Sequence, residues 1–372
     1  MHVKNYINFL LAFIVSFTSF FCVNVNAEPE NVKPPYIEAR NAIAIDAKTN
    51  RVLYEKNAHI LTPMASTTKI VTALVALKYG DLNKKVTISA KAANIRGSVV
   101  GYKKGEEISL RELIYGLMLR SGNDAAIAIA EGISGSVEQF VQLMNEYATE
   151  IGLVDTHFES PHGLDSSMHY TTAYDLALAT AKAKEIKEFN EIVSVKDVDA
   201  AAKGFSRGYH NINKILWQIP EANGVKTGYT GQAGKCLVTS VNKGGSDIII
   251  VVINCPQRWR ETKKINEFIS KTYDFKLVIK KGEIVKSLCI LPTKKTTNLV
   301  AKEDIRIPIK KGSAMDVQIK TPKDIEAPIY KDEKVGTINI YEDNDLIYTS
   351  PLCTENEVLK EKGIKKWYKF FK

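Results

Sequence analysis

The chain has 372 residues, of which 45% are hydrophobic and 25% are charged. These proportions exclude an intrinsically disordered chain, and the length favours two domains over one. The formal net charge is +9, but six lysines from Lys360 onward carry much of that excess, so the charge does not indicate a nucleic-acid-binding domain.

Residues 1–27 differ in composition from the rest of the chain. Lys4 is their only charged residue, and an apolar stretch at 7–25 is followed by small residues. This pattern is typical of a signal peptide that is removed after export. We therefore expect a mature protein that begins near Glu28, with a retained membrane anchor as the alternative.

The pattern that follows predicts alternating strands and helices. Residues 42–56 predict a β-hairpin, and the apolar run at 70–77 predicts a buried helix. A second helix begins at 111 and is interrupted by the segment SGND before the helical pattern resumes. Further helices are predicted at 137–152, from about 171, and at 260–274, and the central strands of a sheet at 236–241 and 247–253.

From about residue 276 the pattern changes to short alternating segments separated by turn residues. These predict a small all-β domain over 277–353. Residues 359–372, if helical, place aromatic side chains on one face and lysines mostly elsewhere, which is typical of an anchor lying in a membrane surface. We therefore predict such an anchor over 354–372. A disordered basic tail is the alternative.

Four cysteines lie beyond the predicted signal peptide. Their spacing matches neither a zinc site nor a dense disulfide framework. Two of them lie in apolar runs typical of strands, so we expect buried free thiols, with a disulfide as an open alternative in an exported protein. The four are Cys236, Cys255, Cys289 and Cys353.

Ser66 and Lys69 lie three residues apart at the start of the first predicted helix. Positions i and i+3 share a helical face, so the hydroxyl and the amine would be neighbours. An amine activates a serine only when it is neutral, and burial or a nearby positive charge lowers a lysine pKa. Alone, the spacing favours an ordinary helix start.

Two further motifs change that interpretation. Ser121-Gly122-Asn123 lies in the helix break, and Lys226-Thr227-Gly228 precedes the strand at 236–241. Each alone favours a capping loop or a commonplace strand segment. The order Ser-x-x-Lys, Ser-x-Asn, Lys-Thr-Gly, with separations of 55 and 105 residues between the first positions, is specific enough to identify a family of proteins.

The set resembles the penicillin-binding proteins and serine β-lactamases, and most closely the low-molecular-mass penicillin-binding proteins of the D-alanyl-D-alanine carboxypeptidase family. The resemblance spans about residues 36–275 and implies an α/β (α+β) catalytic domain over 28–276, with an antiparallel sheet flanked by helices. The segments that carry it are MASTTKIVTALVAL, LMLRSGNDAAIAIAE, SPHGLDSSMHYTTAYDLA, GVKTGYTGQAGKCLV and RWRE.

The resemblance implies a serine peptidase that forms an acyl-enzyme. Ser66 would be the nucleophile and Lys69 its base. Ser121 would relay the leaving-group proton, and Asn123 would hold the substrate amide. The backbone amides of Ser66 and Tyr229 would form the oxyanion hole.

The resemblance also implies how the substrate's terminal carboxylate is held. Thr227, next to Gly228, and Arg260 would bind it, because a planar guanidinium matches a carboxylate. Arg258 is two residues away and is the competing assignment. Lys226 would supply positive potential that helps to keep the catalytic lysine neutral.

Three histidines and an aspartate lie close together in sequence and raise the question of a metal site. They are His157, His162, His169 and Asp165. The resemblance implies no metal and no other cofactor. Class A β-lactamases use an additional glutamate to activate water, and the pattern around Glu159 does not match theirs, so we do not expect efficient β-lactam hydrolysis.

We therefore expect removal of the terminal D-alanine from peptidoglycan stem peptides, and inhibition by β-lactams. The expected location is the outer face of the cytoplasmic membrane, or the cell-wall space, of a bacterium, with membrane contact through 354–372 and no nucleic-acid partner. A D,D-endopeptidase acting on cross-links is the nearest alternative, ahead of a β-lactamase. A non-catalytic cell-wall scaffold is disfavoured because no motif residue is missing.

Overall fold

The computed structural model describes residues 32–360. The predicted signal peptide and residues 361–372 of the predicted anchor lie outside the described residues. Within 32–360, no helix is long and apolar enough to cross a bilayer.

The strands and helices of the described residues have the following bounds. The strands are β1 (Asn41–Asp46), β2 (Val52–Lys56), β3 (Lys85–Thr87), β4 (Glu107–Ser109), β5 (Asp197–Val198), β6 (Tyr209–His210), β7 (Ala222–Thr230), β8 (Gly234–Lys243), β9 (Ser246–Ile253), β10 (Tyr273–Ile279), β11 (Ile284–Ile290), β12 (Lys295–Val300), β13 (Ile305–Lys310), β14 (Met315–Lys320), β15 (Lys334–Glu342) and β16 (Asp345–Thr354). The helices are α1 (Lys69–Tyr79), α2 (Ala90–Ala93), α3 (Leu110–Leu119), α4 (Asn123–Ser134), α5 (Val137–Glu150), α6 (Ala173–Lys184), α7 (Lys187–Ser194), α8 (Ala200–Lys203), α9 (Ile215–Gln218) and α10 (Arg258–Thr272).

The first domain is built on a five-stranded antiparallel sheet in the order β2-β1-β9-β8-β7. The predicted hairpin is confirmed as β1 and β2, with Ala44 opposite Tyr54. Strand β9 is apolar along nearly its whole length because successive side chains point to opposite faces and both faces are covered. Ile249 and Val251 enter the larger helical core, whereas Ile250 and Val252 pack in the core that includes α10.

Helix α1 lies at the centre of the helical layer. Its first eight residues are buried, and it contacts α3, α4, α5 and α6. A helix that is apolar on all sides must be enclosed, so the prediction of a buried helix is confirmed. One 3₁₀ turn, Ala65–Thr68, precedes it, and we call this segment the entry turn.

The predicted helix break is also confirmed. Helix α3 ends at Leu119, and α4 begins at Asn123. Ser121 has a φ of 60°, a conformation that a helix cannot continue through, and Gly122 then turns to extended backbone. The break therefore leaves Ser121 and Asn123 beside the start of α4.

The second domain is all β, as predicted. It contains the pair β10–β13 and a five-stranded sheet in the order β11-β12-β16-β15-β14, around its own apolar core. The expected boundary near residue 276 falls inside β10, which begins at Tyr273 directly after α10. Tyr273 is buried in the core of the first domain, so the chain passes between the domains without a linker.

Arg51, which lies just before β2, joins the two domains. Its Nη2 donates to Glu342 Oε2 at 2.5 Å, and its Nη1 donates to the carbonyl oxygen of Pro308. The guanidinium also lies 5.6 Å from the ring centroid of Tyr273. Both charged side chains of the pair are mostly buried, with 12% and 7% of their surfaces exposed.

The four cysteines between residues 32 and 360 are free. Cys236 and Cys255 are buried, which confirms the expectation for the two strand-like runs, and Cys289 is exposed.

Candidate active site

The entry turn is held by its own threonine hydroxyls. Thr67 Oγ1 donates to the Met64 carbonyl at 2.5 Å, and Thr68 Oγ1 donates to the Ala65 carbonyl at 2.8 Å. Such bonds offer the backbone an alternative to regular helix geometry, and they explain a tight turn before α1. Ser66 therefore sits in this turn, and Lys69 begins the α-helix proper.

Lys69 is fully buried and meets three oxygen atoms. Its Nζ lies 2.9 Å from Ser66 Oγ, 2.8 Å from Asn123 Oδ1 and 2.7 Å from the carbonyl oxygen of His162. Carbonyl and amide oxygens only accept hydrogen bonds, so the two protons of a neutral amine satisfy Asn123 and His162. The nitrogen lone pair is then left for the hydroxyl proton of Ser66.

The electrostatics favour this neutral form. Burial lowers the pKa of Lys69 well below its usual value, the positive charge of Lys226 lowers it further, and Asp124 opposes the shift. Burial, with Arg258 nearby, also lowers the pKa of Lys226 to about 7. Two basic groups are thus buried close together, which is how a lysine becomes a base near neutral pH.

Hydrogen bonds at both the oxygen and the nitrogen of the Asn123 amide orient this side chain. Its Oδ1 accepts from Lys69, and its Nδ2 donates to the Arg96 carbonyl at 2.7 Å. A Cβ atom on Gly97 would lie 2.7 Å from Asn123 Nδ2, so the loop can approach this closely only with glycine. One Nδ2 proton remains for a substrate carbonyl.

Asp124 holds the loop that supplies the Arg96 carbonyl. Its carboxylate accepts from the backbone amides of Val100, Gly101 and Tyr102 at 3.0, 2.8 and 3.2 Å. Sequence reasoning missed this residue as a support of the site. The only signal was its place directly after the Ser121-Gly122-Asn123 motif.

Strand β7 lies at the edge of the sheet. It contains the Lys226-Thr227-Gly228 motif, which lies beside the entry turn. A Cβ atom on Gly228 would lie 3.1 Å from the backbone nitrogen of Ser66 and 3.1 Å from Ala65 Cβ. Glycine therefore lets β7 approach the Ser66 amide closely. Thr227 is buried, and Tyr229, which follows the glycine, has an exposed side chain.

The structure places Arg258, and not the expected Arg260, against the Lys226-Thr227-Gly228 motif. Arg260 is half exposed and pairs with Glu38 at 2.7 Å and Glu261 at 2.8 Å, away from the motif residues. Arg258 Nη1 instead donates to the carbonyl oxygens of Gly228, at 2.8 Å, and Cys236, at 3.0 Å. Two positions along a helix are separated by about 200°, so only one of these arginines can face the sheet.

The clustered histidines have separate partners. His157 Nδ1 contacts the Met168 carbonyl at 2.6 Å, and His169 contacts Thr68. Burial lowers the pKa of the His162 ring to about 3. Among the described residues, no three His, Cys, Asp or Glu side chains are grouped so that they could hold a metal ion.

Two family sequence patterns match the chain. The one described as "D-alanyl-D-alanine carboxypeptidase" matches residues 28–257, and the one described as "Penicillin-binding protein 5, C-terminal domain" matches residues 273–360. The second match begins where β10 begins.

Relatives and solved structures match the chain over most of its length. It is 35% identical to the D-alanyl-D-alanine carboxypeptidase DacF of Bacillus subtilis over 339 residues, which cover 87% of this chain and 86% of the relative. It is 31% identical to DacA of Escherichia coli over 373 residues, covering 94% and 92%.

The fold is similar to that of penicillin binding protein 5 from Haemophilus influenzae, with a TM-score of 0.76, 30% identity and coverage of 88% of this chain and 100% of that one. On these similarities, the chain belongs to the D-alanyl-D-alanine carboxypeptidase family of serine peptidases.

Proposed function

We propose that this protein is a serine D,D-carboxypeptidase, which removes the terminal D-alanine from peptidoglycan stem peptides through an acyl-enzyme on Ser66. The observation that carries the proposal is the 2.9 Å contact between Ser66 Oγ and a fully buried Lys69 whose other two neighbours accept hydrogen bonds only. Family membership and the activity named for the relatives support the same substrate class.

In the acylation step, Lys69 Nζ takes the hydroxyl proton while Ser66 Oγ attacks the carbonyl carbon of the penultimate D-alanine. The amides of Ser66 and Tyr229 stabilise the oxyanion that forms. Ser121 donates its hydroxyl proton to the departing nitrogen and takes up the proton held by Lys69, so the peptide bond breaks, free D-alanine leaves and Lys69 is neutral again. Lys69 then takes a proton from the water that attacks the ester, and returns it to Ser66 Oγ as the shortened peptide leaves.

The rest of the site binds the peptide. Asn123 donates its remaining Nδ2 proton to a substrate carbonyl. Thr227, together with Arg258 in place of Arg260, holds the terminal carboxylate beside β7, and Lys226 adds positive potential. A guanidinium that already binds two backbone carbonyls is held in place for a carboxylate, which limits the entropy lost on binding.

The test uses a labelled penicillin and a defined pentapeptide. We expect the penicillin to acylate Ser66 and to leave slowly, and mass spectrometry to find free D-alanine and the tetrapeptide as products. Absence of label on Ser66 in the folded protein would exclude the proposal. The same product analysis on a cross-linked dimer separates a carboxypeptidase from an endopeptidase.

The role of Lys69 is tested by Lys69→Arg, because a guanidinium stays protonated and cannot act as the base. Acylation should be abolished. Lys78→Arg is a matched control, since Lys78 lies on the same helix but is exposed and pairs with Glu150 at 2.6 Å. Substantial acylation of Lys69→Arg would refute the assignment of the base.

We further propose export and attachment to the membrane surface through the C-terminal segment, from its aromatic and lysine composition. Val358 is buried in the core of the β domain and pairs with Ile329 through backbone bonds of 2.8 and 2.9 Å. A truncation that tests the anchor must therefore spare it. Deleting 361–372 should release the protein from membranes without loss of activity, and continued binding would place the anchor elsewhere.

A further inference from the structure

His169 is a buried histidine, 3% exposed, and both of its ring nitrogens have partners. The backbone amide of Glu159 donates to Nδ1 at 3.0 Å, and Nε2 lies 2.8 Å from Thr68 Oγ1. A nitrogen that accepts a hydrogen bond carries no proton, so the neutral ring bears its proton on Nε2. His169 therefore donates to the Thr68 hydroxyl.

Thr68 in turn makes a hydrogen bond within the entry turn. Its own hydroxyl proton is directed at the Ala65 carbonyl, 2.8 Å away. The chain of donors thus runs from the Glu159 amide through His169 and Thr68 to the residue directly before Ser66. Ala65 has a φ of 50°, which is uncommon for a residue other than glycine and is maintained only where the surroundings hold it.

The loop at 159–169 contacts the same groups from a second side. Gly163 has a φ of 84°, and a Cβ atom on it would overlap both the Ala65 carbonyl oxygen and Thr68 Oγ1. The neighbouring His162 carbonyl accepts from Lys69 at 2.7 Å. The same loop therefore contacts both the entry turn and Lys69.

We propose that His169 is a positioning residue, which acts through Thr68 to fix the entry turn and thereby aims the hydroxyl and the backbone amide of Ser66. It does not touch substrate. The proposal rests on the proposed function, because it takes Ser66 as the nucleophile. The same turn carries the hydroxyl that attacks and one amide of the oxyanion hole, so a shift of the turn displaces both together.

The protonation state fits this role. Burial lowers the pKa of His169 to about 4, and the charged groups around it act in both directions. Glu159 and Asp165 raise the pKa, whereas His157 lowers it. The ring is therefore neutral at neutral pH, as the donor chain requires.

The test removes the hydroxyl and the ring nitrogens separately in the full-length protein. Thr68→Val keeps the shape of the side chain, and His169→Phe keeps a ring without nitrogens. For each, we expect the rate constant for acylation of Ser66 by a labelled penicillin to fall about 10- to 100-fold, the range expected for a misplaced reacting group. With the pentapeptide, kcat should fall and KM should stay near the wild-type value.

Two comparisons distinguish positioning from a general loss of stability. The double variant should be no slower than the slower single variant, because both changes break one chain of bonds, and Thr68→Ser should recover most of the rate. Thr180→Val is the matched control, since Thr180 is also buried and its hydroxyl donates to the Leu176 carbonyl at 2.7 Å. Its acylation rate should equal that of the wild type.

Wild-type acylation in Thr68→Val, or additive losses in the double variant, would overturn the proposal. Circular dichroism and thermal unfolding check that each variant folds. If His169→Phe does not fold, the Thr68→Val and Thr68→Ser pair alone decides the result. Failure of the wild-type protein to become labelled on Ser66 would instead refute the proposed function, so the two failures are distinguishable.

Discussion

A methyl group added at Gly228 should displace one of the two amides of the oxyanion hole. A Cβ atom there would lie 3.1 Å from the Ser66 nitrogen, 3.1 Å from Ala65 Cβ and 3.2 Å from the Thr67 nitrogen. Ordinary contacts of this kind begin near 3.5 Å. Gly228→Ala should therefore push β7 and the entry turn apart by about 0.3–0.5 Å.

This displacement weakens the Ser66 donor without removing it. Loss of one oxyanion donor costs about 2.7–4 kcal/mol. We expect roughly half of that, about 1.5–2 kcal/mol, or about a 10- to 30-fold fall in kcat. KM should change little, because the oxyanion exists only in the transition state and intermediate.

The assay is release of D-alanine from a pentapeptide by Gly228→Ala, with Gly231→Ala as the control. Gly231 lies three residues further along, and a Cβ atom there would meet no other atom within 4 Å. The control should retain wild-type kcat. A Gly228→Ala protein with full kcat would refute the reasoning, and an equal loss in both variants would show that the contact with the Ser66 amide is not the cause.

Three further predictions concern the carboxylate site, acid stability and the domain junction. Arg258→Ala should lower kcat/KM for the pentapeptide about 10- to 100-fold through loss of a charge-assisted hydrogen bond, whereas Arg260→Ala should leave it unchanged; the reverse result would restore the original assignment. Burial lowers the pKa of His169 to about 4, below the value of about 6.5 in the unfolded chain, so this residue binds more protons when the chain is unfolded. The contribution of His169 to the free energy of unfolding should therefore fall as pH falls through that window, by about 2 kcal/mol from pH 7 to pH 5. Urea unfolding at the two pH values measures this, and His169→Phe should lose that share of the dependence; an unchanged dependence would contradict it. Arg51→Ala leaves the buried Glu342 carboxylate without its charged partner, although the Lys310 amide still donates to it, and should lower the free energy of unfolding by about 3–5 kcal/mol. A wild-type thermal midpoint would exclude this.

Local patterns in the sequence were sufficient for the elements that carry the motifs. The apolar run after Lys69 predicted a buried helix, and SGND predicted the end of one helix and the start of another. The alternating segments after residue 276 predicted the all-β domain. These features depend on neighbours within a few positions, which is the range over which periodicity and turn chemistry act.

The choice between Arg258 and Arg260 could not be made from the sequence. Both lie in the first turn of α10, and either side chain is chemically suited to a carboxylate. The rotation of α10 against the sheet decides which one faces β7, and packing of side chains distant in sequence sets that rotation. Glu38, which pairs with Arg260, lies 222 residues away in the chain.

The sequence by itself determined which chemical groups this protein has and on which elements they lie: a serine and a lysine at a helix start, a polar break, and a glycine on an edge strand. Only the tertiary structure decided how those groups are aimed. The bond between Thr68 and His169 joins residues 101 positions apart, and that between Lys69 and Asn123 joins residues 54 apart. Such bonds depend on where whole loops and helices pack, and no local pattern encodes that.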